Sequence, residues 1–389
     1  MLALAAACGP RAAPRAPDLA HPAADLAVDY LPVTSAGRCE ECHGKMAMEW
    51  KSSSHAAADR GPLYQAMRNR AVAAACDHCH APFAGKADPD EAGAHEGVTC
   101  DACHTISAVT ERRAGGGFEL RTREPVKYGP LCDAKDHYFH KMGCSPLHEK
   151  AELCSACHHL YRAVPGGEIP VFTEYDEWKE GPYADEGLDC QRCHMPGTRG
   201  EVARGAPPRP SVPHHGFLGR DGTLRRHALT VRVSVKELAS GGGRLEVTAV
   251  VTNRGAGHKV PTGLPERRVL LRVRALDDAG AVQAEGERVY GRVLTDGEGT
   301  ERPFYTATRV GSDNRLAPRE SRIERFELAA KDAGHLAVQV VWRDAAESIA
   351  KQLGVTPTDQ LLMETQLAFG PATTSGRRRL PAAVTLGEP

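Results

Sequence analysis

Two hydrophobic textures divide this chain. From about Leu229 apolar and polar positions alternate, first in Leu229-Thr230-Val231-Arg232-Val233-Ser234-Val235. The alternation returns in Leu245-Glu246-Val247-Thr248-Ala249-Val250-Val251 and in Val269-Leu270-Leu271-Arg272-Val273-Arg274-Ala275, with further strand candidates at 287–294, 323–328 and 336–342. Successive strand side chains point to opposite faces, so a period of two marks strands with one buried face. Turn residues separate the runs: Gly241-Gly242-Gly243, Asp277-Asp278-Ala279-Gly280 and Asp296-Gly297. Alternating runs joined by such turns predict an antiparallel β-sandwich over residues 227–372.

Residues 23–226 carry no such period. Good helix formers run from Lys45 to His55 and on to Arg60. Helix is expected to resume over 63–75 after a break at Gly61-Pro62, and again over 147–156 and 174–179. Gly85, Pro89, Gly93 and Gly97 mark a loop, and Gly115-Gly116-Gly117 a surface hairpin over 114–127. The expected fold class is therefore multidomain α + β, a loop-rich and mainly helical domain followed by the sandwich. A tail over 373–389 follows; its Arg377-Arg378-Arg379 run reads as a solvated face.

Aromatic residues make up only 5% of the 389-residue chain. The N-terminal half therefore needs core area from another source. One phrase, Cys-x-x-Cys-His, recurs five times there. Its copies are Cys39/Cys42/His43, Cys76/Cys79/His80, Cys100/Cys103/His104, Cys154/Cys157/His158 and Cys190/Cys193/His194. Two thiols at this spacing form thioethers with haem vinyl groups, and the next imidazole becomes the iron ligand. Zinc also uses paired Cys-x-x-Cys, but gives no reason for a histidine after the second cysteine every time. The expectation is five covalent haem c groups, which would supply the missing core.

Cys8, Cys132 and Cys144 lie outside the motifs. Haem c attachment suits an oxidising compartment, and there Cys132 and Cys144 are expected to form a disulfide. Leu4-Ala5-Ala6-Ala7-Cys8-Gly9 resembles a bacterial lipoprotein processing site, followed by a Pro- and Ala-rich stretch, so residues 1–22 read as a signal remnant and tether with a lipid on Cys8. Export to the periplasm, the outer membrane or the extracellular face follows. The net charge of −1 offers no basic field for nucleic acid. No apolar window is long enough to span a bilayer.

Of 18 histidines five belong to the motifs, leaving thirteen for at most five second axial positions. His140 and His148 stand just upstream of the fourth motif. His215, with His214 beside it, follows a proline-rich stretch, and His258 occupies a Gly/Pro-rich turn of the β-domain. Trp50-x-x-Ser53-Ser54-His55-Ala56 resembles the tetrahaem cytochromes that work beside hydroxylamine oxidoreductase, and their multihaem relatives. So do Trp178-x-x-Gly181-Pro182-Tyr183-Ala184, Cys190-Gln191-Arg192-Cys193-His194-Met195-Pro196, and Ser145-Pro146-Leu147-His148 with Glu152-Leu153-Cys154. The likeness spans roughly residues 38–220 and implies a distal-ligand role for His55; a fifth motif and a β-domain depart from it. His159, directly after His158, is similar to the second His of the double-His motif in small tetrahaem cytochromes, while His78 and His95 are further alternates.

The ligand set expected is thus His43, His80, His104, His158 and His194 with His55, His140, His148, His215 and His258. No residue is assigned a catalytic role. The function expected is electron relay with redox partner proteins, other cytochromes or a quinol-linked donor. The alternatives are a haem enzyme with one open iron acting on hydroxylamine or nitrite, and a subunit of a conducting filament. All five motifs end in histidine, with no lysine-terminated variant of the pentahaem nitrite reductase kind, which favours relay.

Overall fold

A computed structural model describes residues 33–71, 73–84, 92–110, 117–121, 124–219, 222–238, 243–370 and 380–387. Its N-terminal part is built of short helices: α1 (Ala36–Lys51), α2 (Pro62–Arg68), α3 (Ala73–His80), α4 (Cys100–His104), α5 (Ala151–His158), α6 (Glu174–Lys179), α7 (Pro182–Asp185) and α8 (Cys190–His194). Gly61 at the cap and Pro62 in the first turn start α2, where a missing N–H costs nothing. Helix does not run through 63–75 as expected: α2 is capped at Asn69, and α3 starts at Ala73.

Between the helices lie two-stranded pairs. β1 (Ile106–Thr110) pairs with β2 (Gly117–Leu120), β5 (Leu160–Val164) with β6 (Gly167–Phe172), and β7 (Gly197–Gly200) with β8 (Arg209–Pro213), all antiparallel. β3 (Val126–Gly129) pairs in parallel with β4 (Lys141–Cys144). The hairpin expected over 114–127 thus begins earlier, at Ile106, and residues 126–129 leave it for β4. A disulfide joins Cys132 to Cys144 with the Cα atoms 4.6 Å apart, an ordinary span for the bond.

The C-terminal part is the expected sandwich. After α9 (Thr223–Ala228) come β9 (Leu229–Glu237), β10 (Arg244–Asn253), β11 (Arg268–Leu276), β12 (Val282–Tyr290), β13 (Arg292–Thr295), β14 (Arg309–Asp313), β15 (Ser321–Ala329), β16 (His335–Arg343), helix α10 (Glu347–Leu353), β17 (Asp359–Ala368) and β18 (Val384–Leu386). One sheet runs β15-β10-β9-β18 and the other β12-β11-β16-β17. Their inner faces meet in one continuous core: Val231, Val233, Val247 and Ala249 from one sheet, Leu271, Val273, Leu336 and Val338 from the other. The register opposes Val247 to Val235 and Phe326, which keeps Leu245, Val247, Ala249 and Val251 of β10 on the inner face, with Val250 on the outer one.

Three strands escaped the sequence pattern: β14, exposed along its whole length, and β17 and β18. β17 carries a register shift opposite Val340/Val341, and its Leu361 is exposed while Leu362 and Met363 are buried, so strict alternation fails. β18 comes from the segment expected as a tail; three residues are too few to show a period, yet they pair with Val231–Val233 of β9. Cys8 and the Arg377–Arg379 run lie outside the described residues.

The two parts meet at a buried ion cluster. Glu177 on α6 accepts hydrogen bonds at Oε1 from Arg315 Nη2 (2.7 Å) and Thr173 Oγ1 (2.6 Å), with Arg292 Nη2 at 3.5 Å. Its Oε2 accepts from the Lys259 backbone N–H at 2.9 Å. Asp313 completes the cluster, 2.9 Å from Arg315 and 3.2 Å from Arg292. Arg162 on β5 also donates to the Phe304 and Ala307 carbonyls of the β-domain.

Candidate functional site

Each Cys-x-x-Cys-His motif lies on helix, four of them at a helix C-terminal end. Residues i, i+3 and i+4 share one helical face, so a single turn presents two thiols and an imidazole to one side. The first motif lies inside α1, where His43 leaves helical geometry at φ −103, ψ 42. α4 is a single turn held at its start by Thr99, whose hydroxyl accepts from the Ala102 N–H.

Carbonyls orient the motif imidazoles. His43 Nδ1 lies 2.6 Å from the Val202 oxygen, His80 Nδ1 2.8 Å from Ala58, and His104 Nδ1 2.6 Å from Tyr128. A carbonyl only accepts, so Nδ1 donates and Nε2 keeps its lone pair; this is how a metal-binding histidine is usually prepared. Burial, ahead of neighbouring charges, lowers the affinity of His80 and His104 for a second proton, and with the charges of His258 and His158 brings His194 down to about 4. Neutral rings are the ligating form.

Four motif rings face a second imidazole at one spacing. The centroids are 6.2 Å apart for His43 and His140, 6.3 Å for His104 and His215, 6.4 Å for His158 and His55, and 6.3 Å for His194 and His258. Two nitrogen–metal bonds of about 2 Å in line, plus the distance from each nitrogen to its ring centre, require about 6 Å between centroids. His55 is held near 3, first by burial and then by the charges of His158, His194 and His80; its buried Nδ1 has no hydrogen-bond partner. His215 is held near 4 by burial and His104, and its Nδ1 donates to the Pro213 carbonyl at 2.9 Å. His258 Nδ1 lies 3.2 Å from the Lys259 oxygen.

The remaining candidates stand elsewhere. His148 also stacks near His104, at 5.6 Å, but its Nε2 donates to the Cys103 carbonyl at 3.1 Å, so its lone pair sits on Nδ1. His159 is buried against Asp176, 3.1 Å from its carboxylate, and its ring meets Tyr161 and Tyr175. His78 stacks on Phe118. His80 stacks on Tyr64 at 4.5 Å, and no second imidazole lies at the trans spacing from it among the described residues.

The motifs are contiguous in an order the chain does not follow. Cys39 of the first meets Cys100 of the third, Cys79 of the second meets Cys157 of the fourth, and Cys154 of the fourth meets Cys190 of the fifth. Cys103 of the third lies close enough to influence both Cys154 and Cys157. The fourth motif thus adjoins the second, third and fifth. Among the described residues no three of these thiols and imidazoles gather into a metal-binding cluster.

All five motifs open into one connected cavity of about 2790 Å³, several times the 300–1,000 Å³ typical of a single-ligand pocket. Around it the apolar core is reduced to small clusters such as Val33, Phe83 and Ala102, or Ala36, Trp50 and Ala56. A region with so little of its own core closes only around large apolar groups. Motif geometry, neutral imidazoles, trans spacings and cavity size together fit five covalently bound haem c groups. The β-domain lines the cavity too, through His258, Thr262, Arg267 and Trp342. Of these, sequence reasoning singled out only His258. Arg267 lies just before the strand predicted over 269–275, and nothing in the sequence pattern set it apart from its neighbour Arg268.

No family model matches the chain, and no curated protein matches it. Among solved structures it is similar to a penta-heme cytochrome c552 from Thermochromatium tepidum, with a TM-score of 0.69 and 21% sequence identity over 86% of this chain and 98% of that one. The likeness is one of fold: a pentahaem cytochrome architecture, motif-bearing helices and loops followed by antiparallel sheets.

Proposed function

We propose that this chain is an exported multihaem cytochrome c that relays electrons between redox partner proteins, other cytochromes or a quinol-linked donor. The observation that carries the reading is the set of four imidazole pairs at trans spacing on motifs that adjoin one another. Cys39/Cys42, Cys76/Cys79, Cys100/Cys103, Cys154/Cys157 and Cys190/Cys193 would hold five haems. Bound, haem supplies one-electron exchange between ferric and ferrous iron, and two imidazoles suit it to transfer rather than ligand chemistry. The imidazoles that would hold the irons are His43 with His140, His104 with His215, His158 with His55, and His194 with His258, with His215 rather than His148 beside His104. Motif adjacency sets the order first, third, fourth, with branches from the fourth to the second and fifth. Kinship to the tetrahaem partners of hydroxylamine oxidoreductase, a lipid on Cys8 and a periplasmic or outer-membrane station belong to this reading.

The His80 site favours a second role. Its ring faces no second imidazole among the described residues, so this site could take a small ligand such as hydroxylamine or nitrite while four sites feed it. The test is the intact mass and the paramagnetic resonance of the oxidised holoprotein. Five haems with four low-spin irons and one high-spin supports both roles; five low-spin irons leaves relay alone, and fewer than five haems rejects the assignment.

A further inference from the structure

Arg267 ends the Gly/Pro-rich turn that carries His258 and opens into the haem cavity. It is half-buried, and burial lowers its hold on its proton. One guanidinium N–H donates to the Thr262 carbonyl at 3.1 Å, and the group lies 5.7 Å from the Trp342 ring centre. Among the described residues no carboxylate stands within ion-pairing distance of it. The acids around it, buried Glu266 and half-buried Glu174 and Asp344, act at longer range. Each spends an oxygen elsewhere: Glu174 accepts from the Thr262 hydroxyl at 3.1 Å, Glu266 from the Phe304 N–H at 2.8 Å and Asp344 from the Thr358 N–H at 2.7 Å. Neighbouring Arg268, by contrast, is paired with Glu301. A guanidinium has five N–H donors, and an enclosed one left without an anion is costly.

Arg267 lines the same cavity as Cys76, Cys79 and His80. Leu264, Phe304 and Tyr305 from the same domain pack with Leu63 and Met67 of α2, the helix whose Tyr64 stacks on His80. The β-domain is therefore a wall of the second motif's site. We propose that Arg267 binds a carboxylate of the haem attached at Cys76 and Cys79, a planar bidentate pairing for which guanidinium is built. This inference rests on the haem assignment above. Through it the sandwich helps to set the redox potential of one haem: a cation beside the porphyrin favours the reduced, less positive iron.

The test uses the full holoprotein with Arg267→Gln and Arg267→Lys. Haem content is measured first; five haems in each variant keeps the cofactor assignment intact and isolates the question of Arg267. Spectropotentiometry is then expected to show one of five midpoint potentials lowered in Arg267→Gln and restored towards the parent value in Arg267→Lys. Five unchanged potentials, or the same shift in both variants, overturns the proposal. A crystal structure of the unmodified holoprotein decides it independently of how the variants fold. Arg267 against a haem carboxylate supports it; Arg267 paired with Glu174, or holding a free anion such as added azide, overturns it.

Discussion

Replacing Glu177 with alanine probes what joins the two domains. Glu177, Arg315 and Arg292 have side chains only 7%, 6% and 5% exposed, so their charges are well removed from solvent. The substitution leaves two buried guanidinium groups facing the single carboxylate of Asp313 and strips the Lys259 N–H of its partner. Deleting one member of a buried ion pair costs about 3–5 kcal/mol. Asp313 remains as partial compensation, which places the expected loss near the lower end, about 3 kcal/mol, or roughly a hundredfold in the opening equilibrium. Because Lys259 adjoins His258, opening should also loosen the His194–His258 pair. The assay is denaturant unfolding of the holoprotein followed by far-ultraviolet circular dichroism and by haem absorbance, with limited proteolysis between the domains. Glu177→Gln, which keeps acceptors but no charge, should fall between the parent and Glu177→Ala. A loss below about 0.5 kcal/mol for Glu177→Ala, the size of an ordinary surface change, would refute the reasoning.

Other outcomes follow from the same geometry. His258→Ala should convert one low-spin iron to high-spin and leave the other bis-imidazole signals in place; an unaltered resonance spectrum would remove His258 from the ligand set. Cys132 and Cys144 should resist alkylation without reductant, and labelling of both would contradict the disulfide. For Asp313 burial pushes the carboxyl up, but the Arg315 hydrogen bond and the charges of Arg315 and Arg292 outweigh it and hold the group well below the usual carboxylate range. Its folded value lies below the unfolded one of about 3.9, so its contribution is full above that pH and lost as pH falls through the folded value. Asp313→Asn should therefore destabilise most at pH 7 and progressively less as pH falls below about 4, measured as unfolding midpoints; equal losses at pH 7 and pH 2 would exclude this linkage.

The local chemistry of the chain was legible in its sequence because it is set by short spacing. Cys-x-x-Cys-His fits one helical turn, so five attachment sites need no tertiary information, and strict alternation through 229–235 and 245–251 gave strands that the registers of β9 and β10 bear out. Cys132 and Cys144 were readable as a pair because nothing else claimed them. Where alternation was short or interrupted by a bulge, as in β18 and β17, the same reasoning lost the strand. Which imidazoles face one another lay beyond it: His43 meets His140, His158 meets His55, and His194 meets His258 across long stretches of chain. His148 and His215 both stood as candidates in the sequence; the folded chain turns the Nε2–H of His148 to the Cys103 carbonyl and sets His215 6.3 Å from His104. Motif order is likewise a property of packing, since the first motif abuts the third and not the second. Attachment is a bond between near neighbours in sequence; ligand pairing, motif order and the Glu177 and Arg267 clusters join residues far apart in sequence, and only the folded chain brings those together.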